Sequence, residues 1–224
     1  MILFKYFCKI IGFSENSEDS EISENSELSN KHLKTLNHGK TPKPFLPLQG
    51  DYENLVVYKI AKCIYAITWY FANTYLEKGD RTRDQMIQAA RSGKQNIAEG
   101  SVDGATSREM EIKLFNVARG SMHELKADYE DYLLCRGLCR WGTGDVRAVQ
   151  ARRYCRVHNR AEDYVEAVKK RTDETTANIV LTLLHQYDVL MVRLIEESKH
   201  RFLTEGGARE EMSRARRLYR DGKA

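Results

Sequence analysis

An all-α fold is what this sequence predicts, on three observations. The 224 residues include only three prolines, Pro42, Pro44 and Pro47, so nothing after position 47 carries a proline to break a helix. Four long stretches repeat apolar residues at three- and four-residue steps. Most of the joints between them are short and hold glycine or a capping residue. With 42% hydrophobic and 30% charged residues the chain has material for one sizeable core, and the composition excludes collagen-like, mucin-like and polytopic membrane classes.

Taken in chain order, Met1 to Phe13 is apolar but is interrupted by Lys5 and Lys9, lacks a small-residue cleavage site and is too short to span a bilayer. As a helix it would align Leu3, Phe7, Ile10 and Ile11 for docking on a membrane surface or another protein; otherwise it is a weakly ordered leader. Residues 14–30 hold six acids, no base and only Ile22 and Leu28 as large apolar groups, too little to offset ordering entropy. Residues 1–50 therefore read as an acidic, disordered leader and a proline-containing linker.

The first helix is predicted from Tyr52 to about Glu77 on Val56, Ile60, Cys63, Ile64, Ile67 and Phe71. Tyr58, Tyr65, Tyr75 and Trp69 fall off that stripe and give the rod a second, semi-apolar face for the later part of the chain or another subunit. Thr82 and Gln85 form a capping box for a second helix, Arg83 to Glu99, with Met86, Ala90, Gly93 and Ile97 inward and Gly100 as a left-handed C-terminal cap. A third helix starts at Thr106 or Ser107, with Glu109 reaching back to Thr106. Its stripe is Met110, Leu114, Val117, Ser121, Leu125 and Tyr132, with Asp128 as a polar intruder.

After an irregular opening at Trp141, Asp145 caps a short helix through Arg160, and another covers Asp163 to Lys170. The fourth long helix runs from Thr172 or Asp173 to about Leu203 on Val180, Leu184, Tyr187, Met191, Leu194 and Ile195, stopped by Gly206 and Gly207. Ala208 to Arg220 is a basic amphipathic segment. The predicted fold is an up-down antiparallel four-helix bundle over residues 51–207, with a helical insertion at 136–171 between helices three and four and a C-terminal helical extension over 208–224.

Charge points to one region. Residues 1–50 balance six Lys with six acids, so the net +4 lies in residues 51–224. Between positions 140 and 160, Arg140, Arg147, Arg152, Arg153, Arg156 and Arg160 face only Asp145. Lys169, Lys170 and Arg171 follow, and the tail adds Arg214, Arg216, Arg217 and Arg220. Guanidinium groups suit phosphate because their planar fork binds two oxygens, and Trp141, Tyr154 and Tyr164 interleave where bases could stack. The plainer reading is a solvated helix face with some Arg paired to Glu162, Asp163, Glu166 or the acids of helix three. Folded over this patch, the acidic leader would mimic nucleic acid; otherwise it is a solubilising tail.

Five scattered cysteines with no export signal predict a reducing, cytoplasmic setting. Cys135, Cys139, Cys155 and His158 superficially offer a zinc set, but their spacing fits ordinary thiols better. His123 and His185 lie in long helices without a nucleophile or acid at catalytic spacing, and no catalytic or phosphate-loop motif is present. No enzyme activity, small-molecule substrate, cofactor, metal or membrane span is expected. Asn96 and Glu99 share a helical face and could receive Arg119 or His123 as a polar clamp. Gly120 and Ser121 offer small side chains for close helix approach.

The blocks Gln95-Asn-Ile-Ala-Glu-Gly100, Thr106-Ser-Arg-Glu and Phe115-Asn-Val-Ala-Arg-Gly-Ser-Met-His-Glu-Leu125 resemble one four-helix-bundle family. It includes proteins encoded in intervening sequences of large-subunit ribosomal RNA genes and the accessory variability determinant of diversity-generating retroelements. Trp141, Asn159-Arg160, Ala177-Asn-Ile, His185-Gln186 and Phe202-Leu-Thr-Glu-Gly-Gly207 look like its longer branch with a four-helix-bundle suffix. The resemblance implies a homopentamer, binding of RNA or DNA and of a reverse transcriptase through a basic surface, and a structural motif at Asn96, Glu99, Gly100, Arg119, Gly120 and Ser121. The expected function is non-enzymatic nucleic-acid binding; the alternative is a protein-interaction scaffold.

Overall fold

The computed structural model describes residues 51–222, so the readings on residues 1–50 and the last two positions lie outside the described residues. Every regular element in it is helical. A 3-10 turn at Tyr52–Asn54 precedes α1 (Val56–Tyr75), α2 (Arg81–Asp103), α3 (Arg108–Cys135), α4 (Val146–Val157), α5 (Ala161–Val168), α6 (Asp173–Glu205) and α7 (Ala208–Arg220).

Packing follows from where the apolar stripes lie. α1 touches α2, α5 and α6, which is why Ile60, Cys63, Ile64, Ile67, Thr68 and Phe71 are all buried: the helix has neighbours on more than one side. α3 packs against α2 and α6, and α4 lies on α6. The Phe71 ring sits 4.9 Å from Tyr129 and 4.7 Å from Tyr132, an aromatic node joining α1 to α3. Two hydroxyls are satisfied across the helices: Tyr129 donates to Thr68 Oγ1 at 3.1 Å and Tyr132 to Asp173 Oδ2 at 2.9 Å.

Several local expectations are corrected. α1 begins at Val56, because Leu55 is extended at φ −64°, ψ 122°. α2 begins two residues earlier than predicted, because the Asp80 carboxylate, not Thr82, caps it by accepting from Thr82 N–H at 2.8 Å. It then runs through Gly100 to Asp103, so Gly100 is helical and caps nothing. Its role is proximity: a Cβ there would lie 2.9 Å from two atoms of the Phe115 ring, and one on Gly93 would lie 2.7 Å from Met122 Cγ. Left-handed glycines follow other helices instead: Gly137, φ 63°, after α3 and Gly206, φ 80°, after α6.

Over its first half the buried face of α3 is turned by one residue from the predicted stripe, while Leu125 and Tyr132 are buried as predicted. Phe115, Ala118, Met122, Leu125 and Tyr129 point inward, while Met110 and Val117 are 43% and 51% exposed. The larger set wins because Phe115 and Met122 fill the space that Gly100 and Gly93 leave on α2. At the start of α3, Ser107 is the cap, accepting from Met110 N–H at 3.2 Å, and the Thr106 hydroxyl turns back to Asp103 O.

α6 is long and apolar enough by composition to cross a membrane, yet Val180, Leu184, Tyr187 and Met191 are buried against its neighbours. α7 extends from its end with no buried residue.

Candidate nucleic-acid interface

The Arg-rich segment is held by one asparagine before it becomes a helix. Asn178 of α6 accepts from Trp141 N–H at 2.8 Å and donates from Nδ2 to Cys139 O at 2.9 Å and Glu174 O at 2.8 Å. That fixes the strap leading to Asp145, whose carboxylate accepts from Arg147 N–H at 2.8 Å and starts α4. Ala148, Ala151, Tyr154 and Cys155 then face inward, which turns Arg153 and Arg156 to solvent.

The cations divide into engaged and free groups. Arg140 Nη2 lies 2.8 Å from Glu130 Oε1. Arg147 bridges Asp145 at 2.9 Å and Glu174 at 3.5 Å and covers the Trp141 ring at 5.1 Å. The Arg147 bond holds the Asp145 carboxyl below its usual range. Arg152 donates to Thr143 O at 2.5 Å. Arg160 meets Glu162 at 3.8 Å with both side chains exposed, and Lys169 meets Glu166 at 2.6 Å. Arg171 is partly buried, and desolvation pulls its guanidinium below the usual range. Arg153, Arg156 and Lys170 are exposed and make no ion pair among the described residues. The nine predicted contacts thus do not act as one block, since carboxylates already neutralise Arg140, Arg147 and Lys169.

Aromatic stacking needs the same correction. Tyr164 is 1% exposed and donates to His158 O at 2.9 Å, while Tyr154 stacks on the His158 ring at 3.7 Å. Neither ring is open to a base passing over the surface. Both were placed outward because the sequence shows charge density and not which side of a short helix meets α6.

A second cation group, on α1 and α2, has no counterpart in the sequence reading. Lys62, Tyr65 and Trp69 share a face of α1, with Lys94 Nζ of α2 4.7 Å above the Tyr65 ring. Burial, then Lys62 and Arg91, lower the Lys94 ammonium below its usual range, and no carboxylate opposes them. Trp69 is 54% exposed one turn further on. The clue was present as Lys62-x-x-Tyr65-x-x-x-Trp69, spacing that puts all three side by side.

The family-motif residues are also repositioned. Arg119 and His123 both reach Asp188 of α6, at 2.6 and 2.8 Å, so they form no clamp with Asn96 and Glu99. Asn96 bonds its own helix at Ser92 O, 2.9 Å, and Glu99 is exposed. Ser121 meets Ser92 at 3.1 Å across α2 and α3, whereas a Cβ on Gly120 would meet nothing within 4 Å. The cause is again the one-residue turn of α3, which sends 119 and 123 toward α6.

Burial raises the Cys63 thiol to about 12 and the Cys155 thiol to about 11, so both stay protonated at neutral pH. Cys135 and Cys139 are exposed, and no group of three metal-ligating side chains forms among the described residues. Set against protein-family models, curated proteins and solved structures, the chain matches none. The reading of the site rests on its own chemistry.

Proposed function

We propose that α1, α2, α3 and α6 constitute an up-down antiparallel four-helix bundle carrying α4 and α5 as its insertion and α7 as its extension, and that it binds nucleic acid, RNA foremost, without catalysing a reaction. The observation that carries this reading is the exposed, carboxylate-free pair Arg153 and Arg156, three residues apart on one face of α4. Lys170 and the Lys62, Arg91, Lys94 group add positive field with no opposing acid named beside Lys94. Self-association into a ring, as the family resemblance implies, multiplies that field by the number of copies. Exposed Val117, Val189 and Val192 on α3 and α6 supply apolar area for such a contact. In this reading α6 is a core helix of a cytoplasmic protein, and a reverse transcriptase or similar nucleic-acid-processing enzyme is the kind of protein partner the resemblance suggests.

Titration of RNA and DNA at several salt concentrations tests it. Arg153→Glu with Arg156→Glu should weaken binding at least about tenfold and flatten the salt dependence by about two ions. No binding at low salt, or binding indifferent to the double change, overturns it. A scaffold that docks acidic protein surfaces is the second reading. It is favoured by Arg140, Arg147 and Lys169 being spent on the molecule's own carboxylates, and it predicts no RNA complex at any salt concentration.

A further inference from the structure

Beneath α4 lies a cavity of about 120 Å³, walled by Trp141, Ala151, Tyr154, Tyr164, Val168 and Ile179. Its size is that of one ring: an apolar cavity of roughly 150 Å³ accommodates a single benzene. Its polar lining includes Gln150 and Thr175 and one donor that stands out. Trp141 Nε1–H is buried with no hydrogen-bond partner among the described residues, a donor left without an acceptor. Arg147 and Arg171 line the wall, the Arg147 guanidinium already bridging Asp145 and Glu174. The cavity at the far end of α3 differs: Arg108 and Arg201 there share the lining with Glu111, Glu211 and Asp51, and it carries no excess of positive charge.

A flat ring with an acceptor on its edge and an anionic substituent fits these terms. Aromatic walls stack on it, the indole N–H meets a carbonyl oxygen, and an anion at the rim would compete with Asp145 and Glu174 for Arg147. We infer that this cavity takes the base of a pyrimidine nucleotide, either free or turned out from a single-stranded RNA lying along α4. The choice of a nucleobase over another heteroaromatic rests on the nucleic-acid reading above; the cavity and the unpaired donor do not. Cys155 in the wall acts as apolar lining, because its thiol stays protonated. A purine, with two fused rings, exceeds the space.

Trp69→Phe leaves Trp141 as the sole indole, since the chain has two tryptophans. In that background UMP and oligo(U) should each quench Trp141 fluorescence saturably, with AMP at least about tenfold weaker. A response to UMP alone identifies a free nucleotide as the natural ligand, and a response to oligo(U) a base within RNA; either supports the site. Ala151→Leu fills the cavity and should abolish the response. Should that variant fold poorly, Trp141→Phe keeps the ring, removes the donor, and should weaken UMP binding by calorimetry about tenfold. No saturable change with millimolar UMP or with oligo(U), equal response to AMP, or indifference to both substitutions overturns the pocket. RNA binding that survives Ala151→Leu but not Arg153→Glu with Arg156→Glu sinks the pocket and leaves the surface reading standing. UMP binding with no RNA binding does the reverse.

Discussion

The four long helices and the α4–α5 insertion differ in how much polar bonding sets their shape. Between α1 and α3 the contacts include the ring node at Phe71, and Tyr129 pairs with Thr68; between α2 and α3, Gly93 and Gly100 make room for Met122 and Phe115. The insertion buries Ala148, Ala151, Tyr154 and Cys155 of α4 and Tyr164 and Val168 of α5, and adds polar fastenings to that burial. Its shape comes from capping and strapping bonds: Asp145 to Arg147, Asn178 to the backbone at Cys139 and Trp141. The lesson is a division of labour, in which substitutions in the first region should cost folding and substitutions in the second should cost ligand binding.

Phe71→Ala gives the largest expected effect. Removing a fully buried ring that touches Tyr75, Tyr129 and Tyr132 should lower unfolding free energy by about 3–5 kcal/mol, read from urea titration. A loss under about 1 kcal/mol would mean that the aromatic node is not where the long helices are joined. Gly100→Ala comes next. The new methyl must displace Phe115, which should cost about 1–3 kcal/mol despite alanine's better helix propensity. A neutral or stabilising result would restore the sequence expectation that Gly100 only ends a helix.

Asn178→Ala probes the seam between the two regions. It leaves Trp141 N–H and Cys139 O without their partner and should cost about 1–3 kcal/mol. The sharper readout is functional: with the strap released, UMP quenching of Trp141 should fall further than Tm does. Equal proportional losses would erase the distinction between the regions.

How much of this was legible in the sequence depended on stripe width. α6 was readable residue by residue, since Val180, Leu184, Tyr187, Met191 and Ile195 are large and mark one side. The first half of α3 is displaced by one position, because Met110 and Val117 are as apolar as the residues that pack and only the glycines of α2 decide between them. For the candidate site, charge density singles out α4, and pairing with an acid of helix three is legible and found at Glu130, but the Arg147 bridge depends on Glu174, brought close by the fold. Trp141's unpaired N–H has no signature in sequence, since it is a property of the enclosure around it.

The smallest effect separates two carboxylates on the α3–α6 seam that look equivalent in sequence. Asp188 is held below its ordinary range, first by the Arg119 hydrogen bond and then by His123. Its ionised form therefore contributes stability above about pH 4, lost as pH falls through the lowered value, so Asp188→Asn should destabilise at pH 7 by under about 1 kcal/mol. Glu111 is raised above its ordinary range, chiefly by burial that Arg201 and Arg108 only partly offset. The folded state then favours its protonated form, a contribution present below about pH 4 and lost as pH rises through the raised value. Glu111→Gln should accordingly leave Tm equal to or above that of the parent at pH 7. Both differences should shrink toward zero in acid, one from below and one from above. If Glu111→Gln instead lowers Tm at pH 7 as Asp188→Asn does, the Arg201 pairing outweighs burial, and this end of the molecule is braced by surface ion pairs in the manner of the insertion.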